Sequence, residues 1–573
     1  MAFGIDFGTS NSVVARWNGY RTEVLPIDSA NVPAQWREPE FEQLFPSVLS
    51  VRELQRTLSF GWAAKASDDP VDAVKRMLGT RPAAKDEEPA DDALPHLEEP
   101  NVWIGGEPYR STAAAGALFE RMRSGVRESL LDMSEAVVTV PANATGGARY
   151  RTRAAARLAG IRVKALINEP TAAAISYAHE VPDDGRFLVF DWGGGTIDVT
   201  VLELADGLFE EQASRGIAAL GGLEFDEALA SLVLKKIGQA PESLSPRERK
   251  RWRRDVELTK IALSRPGAKD ALVDLPTLRE PVIITQEEYT EAIRPLISRA
   301  MEPVEQCLED LRIDPSEIDT VLMIGGTSQI PQVREELSSV MPADRILPSK
   351  LCKPMTAVAR GAAIFAAALD GKLEKTDISL VTSYDLGTAF DARPRKGFIP
   401  IIPRNSTLRA EGEKTFQPNT PHARWLTVEV IEGEEGYSAD SDRAFPLTTL
   451  KFPLPRAEAD PSSNRVRISF RYDRNGILKV KAVHEKSGTV LQEEEIDSFG
   501  PDGTPLQEGL DRELARLISH INEPFGEHPV EGSRKQPDDH QPSLAAPPPA
   551  ASAGTGSQEA AEVSVNGIAQ QLL

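Results

Sequence analysis

Two short stretches of this 573-residue chain carry the residue types that handle phosphate. In residues 3–15, FGIDFGTSNSVVA, an apolar run ends at Asp6, a turn containing Gly8 follows with Thr9 and Ser10, and an alternating run leaves. Residues 189–199, VFDWGGGTIDV, repeat the arrangement with Asp191, Gly193, Gly194, Gly195, Thr196 and Asp198. Three consecutive glycines lose more conformational entropy on folding than other residues would, so the backbone there must approach something closely. Backbone N–H groups from such turns form concavities for phosphate oxygens. The aspartates suit a hard divalent cation held partly through water, because magnesium keeps much of its hydration shell. Tight hairpins with solvent-facing aspartates are the plain alternative for one copy, and the repeat counts against it.

The elements around these turns are strands. Ile197, Val199 and Val201 keep a period of two after the glycines, so the unit is strand–turn–strand. A Rossmann crossover would place a helix there, and no G-x-x-x-x-G-K-[ST] motif occurs, which excludes a P-loop. EAVVTVP (135–141) and FLVFD (187–191) read as buried strands, and YRTRAAARLAG (150–160) as a helix stopping at Gly160. A third run, VLMIGGTSQIP (321–331), sets Gly325 and Gly326 between a strand and a helix start, where a nucleoside could come close. INEPTAAAISYA (167–178) places Glu169 just before Pro170 and a helix of small residues.

Residues 1–376 therefore read as an α/β domain and 377–384, DISLVTSY, as a junction. Residues 385–495 alternate with period two, as antiparallel β-structure does. A short helix is expected within 496–522, and 523–573 has the Pro, Ala and Ser content of a disordered tail. The net charge of −22 argues against nucleic-acid or anionic-membrane partners. Residues 247–254, RERKRWRR, are the basic exception. Ser245, Pro246 and Glu248 read there as the N-cap, first and third positions of a helix with a solvated face. No apolar stretch is long enough to span a membrane and no signal peptide leads the chain. Two cysteines are too few for a disulfide framework or a zinc site, so cytoplasm is expected.

Taken together, GIDFGTSNS, VKRMLG, AVVTVPA, INEPTAAA, FDWGGGTIDV, GGLEFD, IGGTSQIP, IPRNST and NGILKVKAV, in order over about 1–495, resemble the seventy-kilodalton heat-shock chaperone family. The resemblance implies an actin–hexokinase-type two-lobed ATPase domain, a β-sandwich peptide-binding domain, and ATP, ADP and Mg2+ as ligands. By the same resemblance Asp6 and Asp191 organise the metal, with Asp198 behind them. Gly8, Thr9, Ser10, Gly193, Gly194, Gly195 and Thr196 surround the phosphates, and Lys75 and Glu169 act with Asp6 and Asp191 in hydrolysis. Glu257, Lys260 and Ser264, with Gly325 and Gly326, match the nucleoside contacts, and Pro141 and Arg149 an interdomain switch. Phe416, Leu426, Val428 and Ile477 match apolar positions of the peptide cleft, for which ordinary sandwich core is the competing reading.

Several positions depart from the family pattern. Gln329 and Met355 stand where an arginine and an aspartate are usual beside the base. The junction lacks a dense leucine run, and the C-terminus has no room for a helical lid, so peptide release should be fast. The partners implied are unfolded or extended client peptides, a J-domain co-chaperone and a nucleotide exchange factor. The alternatives are a nucleotide-sensing scaffold with weak ATPase, or a small-molecule kinase of the same superfamily.

Overall fold

The computed structural model describes residues 1–525 apart from 80–98, 496–505 and the loop positions 53, 68, 241–243, 276–277, 279, 374–376, 380, 383, 393–394, 408, 434–435, 440–443, 474 and 476. Two lobes of related topology make up the first domain. In lobe I the sheet order is Arg162–Asn168, Glu135–Val140, Ala2–Asp6, Asn11–Trp17, Thr22–Leu25. The last three form an antiparallel meander and the first two run parallel to Ala2–Asp6. Lobe II repeats this with Thr320–Ile324, Gly185–Trp192, Ile197–Ala205 and Leu208–Ile217. Each lobe's first hairpin carries one of the aspartate–glycine turns.

Two alanine-rich helices, Glu169–Glu180 and Ala357–Leu369, pack between the lobes. Their small residues let the backbones nearly touch. A Cβ on Gly361 would lie 1.6 Å from the Ala172 carbonyl oxygen, so no side chain fits there without parting the helices. Helix Gly146–Leu158 starts earlier than the sequence suggests, because Thr145 caps it by accepting the Ala148 N–H at 3.3 Å. Ser245 and Glu248 form the reciprocal cap expected of helix Pro246–Leu263.

The junction does not hang free. Asp377–Ser379 adds to the lobe II sheet as a parallel edge strand beside Leu208–Ile217. Two four-stranded antiparallel sheets then form the β domain. One contains Arg395–Ile402, Asp385–Ala392, Trp425–Gly433 and Phe445–Pro453, the other Glu411–Phe416, Val466–Tyr472, Leu478–His484 and Val490–Glu495. Leu426 and Val428 are buried between them and Phe416 is half-buried against that core, so these three are sandwich interior.

Ile477 corrects the expectation. It is buried with lobe I residues and not with the sandwich core. Asp473 accepts the N–H groups of Asn475 and Ile477, and the Asn475 side chain accepts the Leu166 N–H at 3.1 Å, which seats this turn on lobe I. Helix Leu506–Ser519 also packs on lobe I, burying Leu510, Leu514, Leu517 and Ile518 beside helix Ser111–Glu128. Glu513 pairs with Arg110 at 2.8 Å. The ordered chain continues past the expected tail boundary at 523. Phe525 is buried, donates its N–H to Arg56 at 2.9 Å, and fills the space over Gly105, whose φ is +63°. The tail from 526 lies outside the described residues. Among the described residues no helix is long and apolar enough to cross a membrane.

Candidate functional site

Both glycine turns open on one cleft of about 600 Å³ between the lobes. Gly194 and Gly195 are needed because the turns face each other, whereas a Cβ on Gly193 would meet open space. A Cβ on Gly194 would come 2.0 Å from Ser10 Oγ, and one on Gly195 2.4 Å from Thr9 Oγ1. The carbonyls of the second turn are all engaged by protein. Gly193 accepts from Thr327 Oγ1 at 2.8 Å and from the Gly222 N–H at 3.1 Å, Gly194 accepts the Leu223 N–H at 3.0 Å, and Gly195 accepts from Arg76. In a trans peptide the N–H points opposite to the carbonyl, so the N–H groups of Gly194, Gly195 and Thr196 are turned the other way. That is the arrangement of an anion cradle.

Asp6, Asp191, Glu169 and Lys75 line the cleft beside these turns, with Gly8, Thr9, Ser10 and Thr196. Asp198 lies behind, fully buried, accepting the Asn143 N–H at 3.1 Å. Lys75 Nζ sits 2.5 Å from Glu169. Burial, and then Glu169, push the Asp6 and Asp198 carboxyls up to about 7, and the same causes raise Asp191. Burial works against the Lys75 ammonium, yet Glu169 and Asp6 hold it above its ordinary value. Four carboxyl groups thus face one ammonium, a deficit that a divalent cation would relieve. Among the described residues no three acidic side chains converge as direct ligands, so the donor set fits a cation held largely through water.

Glu257, Lys260 and Ser264 line the other end of the cleft with Gly325 and Gly326. Lys260 is paired with Asp226 at 2.7 Å and donates to the Gly222 carbonyl at 3.1 Å. Glu257 pairs with Lys65 of lobe I at 2.8 Å. Gln329, Met355 and Ile261 add uncharged side chains to the lining of the cleft. Sequence reasoning missed Lys65, Arg76 and Asp226. Asp226 stood in the quoted GGLEFD and Arg76 follows Lys75, but Lys65 left no local signal. Trp36 and Trp62, which pack against Leu258 and Ile261 across the cleft, left none either.

Pro141 and Arg149 lie outside the cleft. The Pro141 carbonyl accepts the Ala144 N–H in the turn that leads to helix Gly146–Leu158. The Arg149 guanidinium is buried, donating to the Ala144 carbonyl at 3.2 Å and to Asn168 Oδ1 at 2.6 Å. Asn168 donates to Glu211, and Glu211 accepts the Val381 N–H of the junction at 3.2 Å. From the β domain, Glu432 accepts the Gly146 N–H at 3.0 Å and the Tyr472 hydroxyl at 2.6 Å.

Residues 2–508 match the family model described as Hsp70 protein. The chain belongs to the Hsp70 family. Among curated relatives, a "Chaperone protein HscA homolog" of Histophilus somni is 30% identical over 513 residues, covering 87% of this chain and 78% of that protein. "Chaperone protein HscA" of Salmonella paratyphi B is 31% identical over 523 residues, covering 87% and 79%. The kinship accounts for the doubled topology and makes an ATP-dependent chaperone the general class of this bacterial Hsp70-type chain.

Proposed function

We propose that this Hsp70-family chain hydrolyses ATP to ADP and phosphate and couples that step to holding extended client segments in its β domain. The observation that carries the reading is the Lys75–Glu169 pair set against the two facing glycine turns. Phosphoryl transfer needs little covalent help from a protein and depends on positioning and electrostatics. The N–H groups of 194–196 hold phosphate oxygens, Lys75 faces the charge that grows on the transferred group, and Glu169 orients the attacking water. Mg2+, held by Asp6 and Asp191 with Asp198 behind them, would supply the remaining positive charge. Glu257, Lys260 and Ser264 hold the nucleoside.

The coupling route runs through hydrogen bonds. Asp198 reaches Asn143 in the loop that Arg149 fastens, Arg149 reaches Asn168 next to Glu169, and Asn168 reaches the junction through Glu211. A J-domain co-chaperone and an exchange factor are the partners this cycle calls for. Lys75→Ala should leave nucleotide affinity near normal while lowering single-turnover hydrolysis by ~10²-fold or more, since the ammonium acts mainly in the transition state. An unchanged rate removes the catalytic assignment.

A further inference from the structure

Arg76 follows Lys75 on the short lobe I helix Val74–Gly79, and its guanidinium reaches Gly195 and Glu224 of lobe II. Nε and Nη2 donate to the Gly195 carbonyl at 3.0 and 2.5 Å. Nη1 and Nη2 donate to the two carboxylate oxygens of Glu224 at 2.8 and 2.7 Å. Glu224 also accepts the Gly221 N–H at 2.7 Å, at the head of helix Gly222–Lys236. That helix start in turn donates to the carbonyls of Gly193 and Gly194. One side chain therefore grips the phosphate turn of lobe II directly and through the helix that supports it.

We propose that Arg76 is a positioning residue for phosphoryl transfer, closing lobe II onto lobe I so that Lys75 and the N–H groups of 194–196 meet the same phosphate. The proposal rests on the ATPase reading above. Fixing the Gly195 carbonyl aims the Thr196 N–H to the opposite side. Because Arg76 and Lys75 are consecutive on one short helix, the distance from Lys75 to the phosphate turn is set by the Arg76 contacts. The forked geometry matters as much as the charge, since a bidentate guanidinium fixes direction where an ammonium supplies only a point charge. Arg76 acts through Gly195 and Glu224, which is why its role is placement.

The test compares wild type with Arg76→Ala, Arg76→Lys, Glu224→Gln and the Arg76→Ala/Glu224→Gln double variant in the full chain. Single-turnover ATP hydrolysis should fall by ~10²-fold in Arg76→Ala, the loss expected when a reacting group is misplaced by about 1 Å. The Kd values for ATP and ADP should move by less than about threefold, so the loss falls on the chemical step. Arg76→Lys should recover little of the rate. The double variant should be no slower than the worse single one, because both residues act in one contact. A distance reporter between labelled lobes should close on ADP with phosphate in wild type and stay open in Arg76→Ala. Full activity in Arg76→Ala, rescue by lysine, or equal losses of affinity and rate would overturn the proposal. If wild type closes without hydrolysing, the ATPase reading fails, while loss of closure in Arg76→Ala still supports Arg76 as the closing residue.

Discussion

Asp191 shows how a residue's surroundings define its work. It is buried beside Glu169, Asp198 and Asp6, with Lys75 as the nearby cation, and its carboxyl is raised accordingly. A lone structural aspartate would have gained hydrogen-bond donors; this one gained other acids. Its charge is therefore tolerated best with a cation present. Asp191→Asn should weaken Mg2+-dependent ATP binding more than metal-free ADP binding, read by paired titrations with and without Mg2+. Equal losses in the two titrations would make Asp191 a shaper of the hairpin only. The types and order of these site residues were legible in the sequence, because turns and glycines are local. Lys65, Arg76 and Asp226 were not, because their partners stand far along the chain.

At the scale of elements, the C-terminal helix changes role between sequence and structure. The sequence announced a short helix within 496–522, and the structure lays the apolar side of Leu506–Ser519 on lobe I with Phe525 as the last anchor. Arg516 stacks over Tyr109, 4.5 Å from the ring centroid, and donates to the Pro108 carbonyl at 3.1 Å. Emptying a buried phenylalanine site costs about 3 kcal/mol. Phe525→Ala should therefore loosen the docked helix, seen as a ~10²-fold loss of amide-exchange protection across 506–519. Removing 526–573 should leave that protection unchanged. A helix that stays protected in Phe525→Ala would mean that Leu510, Leu514 and Leu517 suffice to hold it.

The whole molecule is joined by a buried polar contact between its domains. Glu432 of the β domain meets the start of helix Gly146–Leu158, with Tyr472, Arg149 and, on lobe II, Glu211 around it. Burial raises the Glu432 carboxyl, against the lowering effect of its bonds to Tyr472 and Gly146 and of Arg149. Burial likewise raises Glu211. A group whose pKa is higher when docked binds its proton more tightly there. It favours docking below its ordinary range, and that contribution fades as pH climbs through the raised value. Docking should weaken as pH rises, measured by energy transfer between a label on lobe I and one on the β domain. Glu432→Gln should flatten the dependence, and an unaltered profile would assign it elsewhere. Client release belongs to the same scale. Since helix Leu506–Ser519 is spent on lobe I, we expect fast release of a labelled peptide with ADP bound and little change on adding ATP. Slow release with ADP would mean that another segment or a second chain closes the cleft.

By itself the sequence determined the repeated aspartate–glycine turns, the change from mixed α/β to alternating β near 385, the cap at Ser245 and the family. Each rests on a pattern a few residues long, where backbone geometry and side-chain period are set by neighbours. Only the tertiary structure decided that Gly195 meets Thr9, that Arg76 grips Glu224, that Asp377–Ser379 becomes an edge strand and that Ile477 and Phe525 are buried with lobe I. Apolar patterning states that such a side chain will be buried. Which surface buries it is settled by docking between elements hundreds of residues apart, and no local window contains that energy.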